Sequence, residues 1–264
     1  MSAPATVRAG DIEVAYELQG APGAPVVMLA HGILSAHGMW AEVARALRPR
    51  WRVLAYDLRG HGGTTATQPP YTMDRLARDA IALLDALGLE RVHFIGSSLG
   101  GMVGQRLGAH HAGRLHSLTL ANTSAVQGAA AAWQERIATA QAQGVAPLVE
   151  TTLQRWFTPA FLAGDPGPVQ RMRALAAATD PRGFCGCAAA VRDLAQADLL
   201  PAIAVPALVL VGEQDQATPP AAGEFIRQHV AGAQLARLPA AHQCAVECPD
   251  AFVAAWEAFA GALS

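Results

Sequence analysis

The chain has 264 residues, of which 52% are hydrophobic and 15% are charged, and its formal net charge is -2. This length and composition favour one α/β domain with a large core over two small domains. The nearly neutral charge argues against binding to nucleic acid or to an anionic membrane surface. The sequence shows no signal peptide and no long apolar run, so we expect a cytoplasmic protein without a membrane segment.

Strand-like and helix-like segments alternate along most of the chain. Residues 12–18 alternate apolar and polar side chains, which predicts an antiparallel strand at a sheet edge. Residues 73–87 place apolar side chains on one helical face. Apolar runs typical of buried strands occur at residues 25–30, 52–56 and 92–95. Further strands are predicted at residues 115–122 and 206–212 and, more weakly, at 234–238. This alternation predicts a largely parallel, doubly wound sheet.

The alternation stops between residues 123 and 200. This segment is rich in alanine, is interrupted by several prolines and glycines, and carries the aromatic residues Trp133 and Trp156. Because it lies between two predicted strands, we interpret it as helices laid over the sheet, and we call it the cap. The predicted core then comprises residues 1–122 and 201–264. Ligands of doubly wound sheets lie at the carboxyl ends of the strands, which directs the search for a site.

One stretch carries a nucleophile motif. Residues 92–95 predict a buried strand, residues 96–100 read Gly-Ser-Ser-Leu-Gly, and residues 101–107 are compatible with a helix. A strand, a tight G-x-S-x-G turn and a helix together are typical of a nucleophile elbow, in which the central serine is held at the end of the strand. The sequence therefore predicts Ser98 as a nucleophile.

A serine hydroxyl needs a base, and the base needs an orienting acid. In this kind of sheet the partners follow in the order Ser, Asp or Glu, His, each just after a strand. Asp215 follows the strand at 206–212, and His242 follows the strand at 234–238. Glu213 is an alternative acid that lies nearer the strand. Asn122 occupies another position where an acid could lie, but an amide supplies no charge.

Acyl transfer also needs hydrogen-bond donors for the oxyanion. The N–H of Leu99, directly after the nucleophile, is one expected donor, and the N–H of Ile33, after the strand at 25–30, is the other. Leu34 is the alternative if the register differs by one residue. His31 is interpreted as a brace of this loop. Three polar residues of the next loop are interpreted as a network that fixes it: Asp57, Arg59 and His61.

The four cysteines are Cys185, Cys187, Cys244 and Cys248. With His242 they could be imagined as a metal site, but their spacings match no zinc ribbon or finger. We therefore expect reduced thiols, as in cytoplasmic proteins, and neither a metal nor a cofactor.

Several motifs resemble those of the α/β-hydrolase superfamily: HGILS, YDLRGHGGT, GSSLGG, GEQDQATPP and AHQCAVE. A narrower resemblance, to the 3-oxoadipate enol-lactonases, rests on PYTMDRLARDAIALLDALGLERVHFIGSSLGGMVGQ, LQRWFTPAF, GFCGCAAAVRD and ATPP. The resemblance implies an α/β-hydrolase fold, with a mostly parallel eight-stranded sheet and a helical cap inserted after the sixth strand. Three features depart from the lactonase pattern: Ser97, Thr64 and the run Gln243-Cys244-Ala245.

The resemblance implies hydrolysis of a small enol-lactone that carries a carboxylate, through an acyl-enzyme on Ser98. Trp133 and Trp156 are candidate pocket walls, and three cap arginines are candidates for binding the carboxylate: Arg136, Arg155 and Arg192. Alternatives are an esterase or lactonase for other small substrates, a cofactor-free haloperoxidase or perhydrolase, and a ligand-binding relative without catalysis. A homo-oligomer is left open.

Overall fold

The computed structural model describes residues 4–164 and 166–263. In these ranges, eight strands form one sheet in the order β1-β2-β4-β3-β5-β6-β7-β8. Each pair of neighbours from β4 to β8 in that order is parallel, whereas β2 is antiparallel to both of its neighbours, β1 and β4. The strands are β1 (Ala5–Ala9), β2 (Ile12–Gln19), β3 (Val26–Ala30), β4 (Arg52–Tyr56), β5 (Val92–Ser97), β6 (Leu115–Ala121), β7 (Ala207–Gly212) and β8 (Gln234–Leu238).

The predicted edge position of residues 12–18 is wrong. They form β2 and pair with β4 on one side and with β1 on the other, so β1 is the edge strand. Strand β1 has mostly exposed side chains and little apolar alternation, which explains why its sequence pattern did not predict a strand. It is joined to β2 by a tight turn in which Gly10 adopts a positive φ of 62°.

Helices cover both faces of the sheet. They are α1 (Ala41–Leu47), α2 (Met73–Ala86), α3 (Leu99–His110), α4 (Ala130–Gln143), α5 (Ala146–Trp156), α6 (Pro159–Gly164), α7 (Pro166–Ala177), α8 (Pro181–Arg192), α9 (Pro220–His229), α10 (Cys244–Glu247) and α11 (Pro249–Gly261). The central strands have continuous buried runs, as expected for strands packed on both faces. None of the helices in the described ranges has the length and apolar character needed to cross a membrane.

The cap begins after β6 and contains the helices from α4 to α8. An isolated bridge between Val126 and Ala195 joins its beginning to its end. Strand β3 lies between β4 and β5 in the sheet. The chain therefore runs from β3 to β4 on one side of β3 and then crosses to β5 on its other side. The carboxyl ends of β3 and β5 meet at this reversal of strand order, where doubly wound sheets bind ligands.

Candidate active site

Ser98 lies in a sharp turn between β5 and α3. Its backbone is strained, with φ 53° and ψ -115°, and a Cβ at Gly96 would collide with the backbone of Gly100. The turn is held by the N–H of Ser98, which donates to the carbonyl of Ala121 at 2.9 Å, and by the Thr123 hydroxyl, which donates to the Ser98 carbonyl at 2.8 Å. These hydrogen bonds fix the backbone of Ser98, and its side chain lines a cavity.

Asp215 and His242 are hydrogen-bonded, with His242 Nδ1 2.8 Å from Asp215 Oδ2. The same carboxylate accepts the Thr218 hydroxyl at 2.8 Å, the Asn122 amide at 3.1 Å and the N–H groups of Ala217 and Thr218 at 2.8 and 2.9 Å. Burial raises the pKa of Asp215, but the neighbouring His242 and the hydrogen bonds from Thr218 outweigh it, and the net shift is downward. Asp215 is therefore an ionised partner that can orient His242.

The other candidate acid does not reach His242. Glu213 has an exposed side chain, whereas Asp215 is buried. Asn122 supplies no charge, but its amide also donates to the carbonyl of Ala241 at 3.2 Å and so connects the acid loop with the loop of His242. The bonds made by Asn122 and Thr218 were not predicted from the sequence, although the ATPP motif includes Thr218.

The loop after β3 lies against the nucleophile turn. The N–H of Gly100 donates to the carbonyl of His31 at 3.1 Å, and a Cβ on Gly32 would lie 3.2 Å from the Cβ of Ser98. Leu34 has a positive φ of 56°, and its N–H donates to His61 Nε2 at 3.2 Å. The N–H of Leu34 is therefore engaged, which favours Ile33 as the donor of this loop.

Leu99, the other expected donor, is the first residue of α3, so its N–H has no acceptor within the helix. Ile33 lines the same cavity as Ser98. Backbone N–H groups beside a nucleophile are donors of the kind that can stabilise an oxyanion.

A buried polar network supports this loop from behind. His31 contacts the carbonyl of Gly32 through Nδ1 at 2.7 Å, and its Nε2 accepts the N–H of Leu58 at 2.9 Å. Burial lowers the pKa of His31, and it lowers the pKa of His61 to about 3, so both rings are neutral and can accept N–H groups. Arg59 pairs with Asp11 and Asp79 at 2.6 and 2.5 Å, and Asp57 contacts His37 Nδ1 at 2.9 Å.

The cap closes a cavity of about 140 Å³ over Ser98. The cavity is bounded by the sheet edge on one side and by α4 and α5 on the other. Its walls include Ile33, Ser98, Trp133, Arg136, Trp156 and His242. Ser98 is 7% exposed and His242 is 3% exposed, so both lie deep in this cavity. The Ser98 hydroxyl forms no hydrogen bond with any described residue, which leaves it free toward the cavity.

Arg136 is a cation without a counter-ion. Its Nη2 donates to the Thr152 hydroxyl at 3.0 Å, and its guanidinium lies 4.9 Å from the centre of the Trp133 ring. No carboxylate within the described residues pairs with it, and its buried Nε has no hydrogen-bond partner there. Burial lowers the pKa of Arg136 to about 10, and the charge of Arg155 adds to the effect. Arg136 still carries its charge at neutral pH.

The other two cap arginines are placed differently. Arg155 also lines the cavity, but it is exposed and donates to the carbonyl of Gln216 at 3.4 Å. The expectation that Arg192 binds substrate is not supported, because its guanidinium pairs with Asp193 at 2.7 Å and donates to Gln134 at 2.7 Å outside the cavity. Its position follows from the packing of α8 against α4, which the local sequence does not encode.

The four cysteines belong to no cluster of metal-ligating side chains among the described residues. All four are free, and Cys185 and Cys187 are buried in α8. No group of three or more His, Cys, Asp or Glu side chains in the described part of the chain is arranged to hold a metal ion.

The residues therefore form a strained serine turn, a histidine paired with a carboxylate, and a cavity beneath the cap helices. A model of the α/β hydrolase fold matches residues 25–246. The chain belongs to the α/β-hydrolase family. Its eight-stranded, mostly parallel sheet confirms the fold class expected from the motifs.

Relatives of this hydrolase narrow its class. It is 36% identical to 3-oxoadipate enol-lactonase 2 of Acinetobacter baylyi, over 96% of this chain and 95% of that relative. The crystal structure of an enol-lactonase from Burkholderia xenovorans matches with a TM-score of 0.95 and 34% identity, over 97% of this chain and 100% of that one. A hydrolase from Pseudomonas aeruginosa matches with a TM-score of 0.94 and 42% identity, over 98% of each chain. The resemblance to enol-lactonases is confirmed, and the hydrolase acts on ester bonds.

Proposed function

We propose that this hydrolase opens a small enol-lactone that carries a carboxylate, namely 3-oxoadipate enol-lactone, and releases 3-oxoadipate. The observation that carries the proposal is the unpaired Arg136 cation in the same cavity as Ser98 and His242. Arg136 is partly buried, and such a cation is costly unless something compensates it; a substrate carboxylate would do so when it binds. The similarity to enol-lactonases supports the same substrate class.

In the first half-reaction, the Oγ of Ser98 attacks the lactone carbonyl while His242 takes the hydroxyl proton through Nε2. Asp215, bonded to Nδ1 at 2.8 Å, fixes the tautomer that leaves Nε2 as the acceptor and stabilises the imidazolium that forms. The N–H groups of Leu99 and Ile33 hold the negative charge of the tetrahedral intermediate.

Collapse of that intermediate breaks the ring C–O bond, and His242 returns the proton to the enol oxygen. The leaving group is an enol that remains covalently tethered, and its tautomerisation to a ketone removes the nucleophile that could close the ring again. His242 then takes a proton from water, which attacks the acyl carbon of the Ser98 ester. When this second intermediate collapses, the bond to Ser98 Oγ breaks, His242 returns the proton to Oγ, and the acid is released. No cofactor enters these steps. Such a reaction would belong to the β-ketoadipate route of aromatic catabolism in the cytoplasm.

The test is a panel of small lactones and short esters, including the enol-lactone, ranked by kcat/KM for the wild-type protein and Ser98→Ala. We expect the enol-lactone to rank first and Ser98→Ala to lose turnover. Ser124→Ala is the matched control, since its hydroxyl bonds only the nearby backbone of Val126. If neutral esters rank first, the protein is a carboxylesterase. If it uses peroxide in a halide-dependent reaction, it is a haloperoxidase or perhydrolase. Unchanged turnover in Ser98→Ala would refute the mechanism.

A further inference from the structure

Glu247 links the loop of His242 to the cap. It is the last residue of α10, the one-turn helix that follows His242. Its Oε2 accepts the N–H of Ala241 at 2.9 Å, and its Oε1 accepts the N–H of Thr158 at 3.2 Å and also the Thr158 hydroxyl. Thr158 lies in the cap, between α5 and α6, and is 89 residues away along the chain. One carboxylate thus holds the residue before His242 and a residue of the cap together.

The residue after His242 is bonded to the same part of the cap. The N–H of Gln243 donates to the carbonyl of Trp156 at 3.0 Å. The side chain of Trp156 is a wall of the cavity that contains Ser98. Both neighbours of His242 are therefore anchored to the short cap segment of residues 156–158, one through Glu247 and the other directly.

A carboxylate suits this position better than other acceptors. Both oxygens of Glu247 accept hydrogen bonds, one from Ala241 and the other from Thr158. A glutamine in its place would turn an NH₂ group, which is itself a donor, toward one of these two donors. The Thr158 hydroxyl also accepts the N–H of Phe161 at 3.2 Å, which couples the contact to the first turn of α6. Thr158 is 8% exposed, so this contact is largely protected from water.

We propose that Glu247 is a positioning residue, which couples the cap wall formed by Trp156 to the placement of His242. The inference rests on the proposed role of His242 as the base for Ser98. Glu247 touches neither the substrate nor the reacting atoms. It holds the backbone on the amino side of His242 while the cap holds the other side, and so fixes where the imidazole lies in the cavity that it shares with Ser98. A displacement of about 1 Å at such a group can cost about 100-fold in rate.

The experiment uses a fluorophosphonate probe, which reacts with an activated serine without needing the natural substrate, and a short neutral ester for kcat and KM. The variants are Glu247→Gln, Thr158→Val and Thr158→Ser. Valine has the shape of threonine but no hydroxyl, whereas serine keeps the hydroxyl. Asp250→Asn is the control, because it removes an exposed carboxylate three positions further along. Thermal unfolding confirms that each variant is folded at the assay temperature.

We expect Glu247→Gln and Thr158→Val to lower both the labelling rate constant and kcat by about tenfold or more, with KM changed by about twofold or less. Thr158→Ser and Asp250→Asn should stay close to the wild type. Labelling of both Glu247→Gln and Thr158→Val at the wild-type rate would overturn the inference, as would a change confined to KM or to thermal stability. A wild-type protein that is not labelled at all would instead overturn the proposed function, and the inference with it.

Discussion

Replacing Arg136 with methionine removes the unpaired cation of the cavity and keeps most of the length of the side chain. If Arg136 binds the substrate carboxylate, the variant loses a charge-assisted hydrogen bond of about 1.5–3 kcal/mol together with part of the Coulomb attraction at short range. A loss of about 3 kcal/mol corresponds to a decrease of about 100-fold in kcat/KM. A substrate without a carboxylate loses none of this.

The same substitution has little expected effect on stability. Burial lowers the pKa of Arg136 to about 10, so the folded state disfavours the cation by about 3 kcal/mol at any pH well below 10. Methionine relieves that cost, but it forfeits the hydrogen bond to Thr152 and the contact with the Trp133 ring, each about 1–2 kcal/mol. The free energy of unfolding should therefore change by about 1 kcal/mol or less.

The assay compares 4-nitrophenyl hydrogen glutarate with 4-nitrophenyl valerate, which share the leaving group and the acyl chain length and differ in the terminal carboxylate. Arg136→Met should lower kcat/KM for the glutarate ester alone. Arg192→Met is the control, since Arg192 is paired with Asp193 outside the cavity. An equal loss on both esters would mean that Arg136 only shapes the cavity, and no loss on either would mean that the carboxylate binds elsewhere.

Three further substitutions test the surroundings of the nucleophile. Asp215→Asn should lower kcat by about 10⁴ through loss of the correct tautomer of His242. Because the pKa of Asp215 is lowered in the folded state, its ionised form stabilises the fold above a pH of about 4, and this stabilisation is lost as the pH falls further. The difference in free energy of unfolding between the wild type and Asp215→Asn should therefore shrink as the pH falls below about 4. His61→Phe should lower kcat for a short ester by about tenfold, since the N–H of Leu34 loses its acceptor; an unchanged kcat would contradict that role. Gln243→Leu should raise the free energy of unfolding, measured in urea, by about 1–3 kcal/mol, because neither polar atom of this buried amide has a hydrogen-bond partner among the described residues. A loss of stability would show instead that the amide is hydrogen-bonded in the folded protein.

The sheet could be predicted because its central strands are covered on both faces and therefore appear as apolar runs. Asp215 could be placed because it follows the buried strand β7, and His242 because it follows the weaker signal of β8, which is an edge strand with mostly exposed or half-buried side chains. Parallel strands bring their carboxyl ends to one edge of the sheet, so both residues are expected there. Strand β1 could not be predicted from its own residues, because it is defined by pairing with β2 and has few buried side chains.

The substrate-facing residues could be predicted only in part. Arg136 and Arg192 are equally plausible in the sequence, and the packing of α4, α5 and α8 decides which one faces the cavity. The contact between Glu247 and Thr158 joins residues 89 positions apart, and nothing in either local sequence indicates the other. Helix packing in the cap sets these relations, whereas the turn and strand signals of the core are local.

The most direct test of the account is the mass of the protein quenched during turnover of the carboxylate-bearing enol-lactone. Opening a lactone leaves the former ring oxygen in the acyl group, so the acyl-enzyme should be heavier by the mass of the whole lactone. We predict that peptide mapping places this added mass on Ser98, and that Ser98→Ala shows neither the adduct nor turnover. Turnover that persists in Ser98→Ala, or an adduct on another residue, would contradict the account.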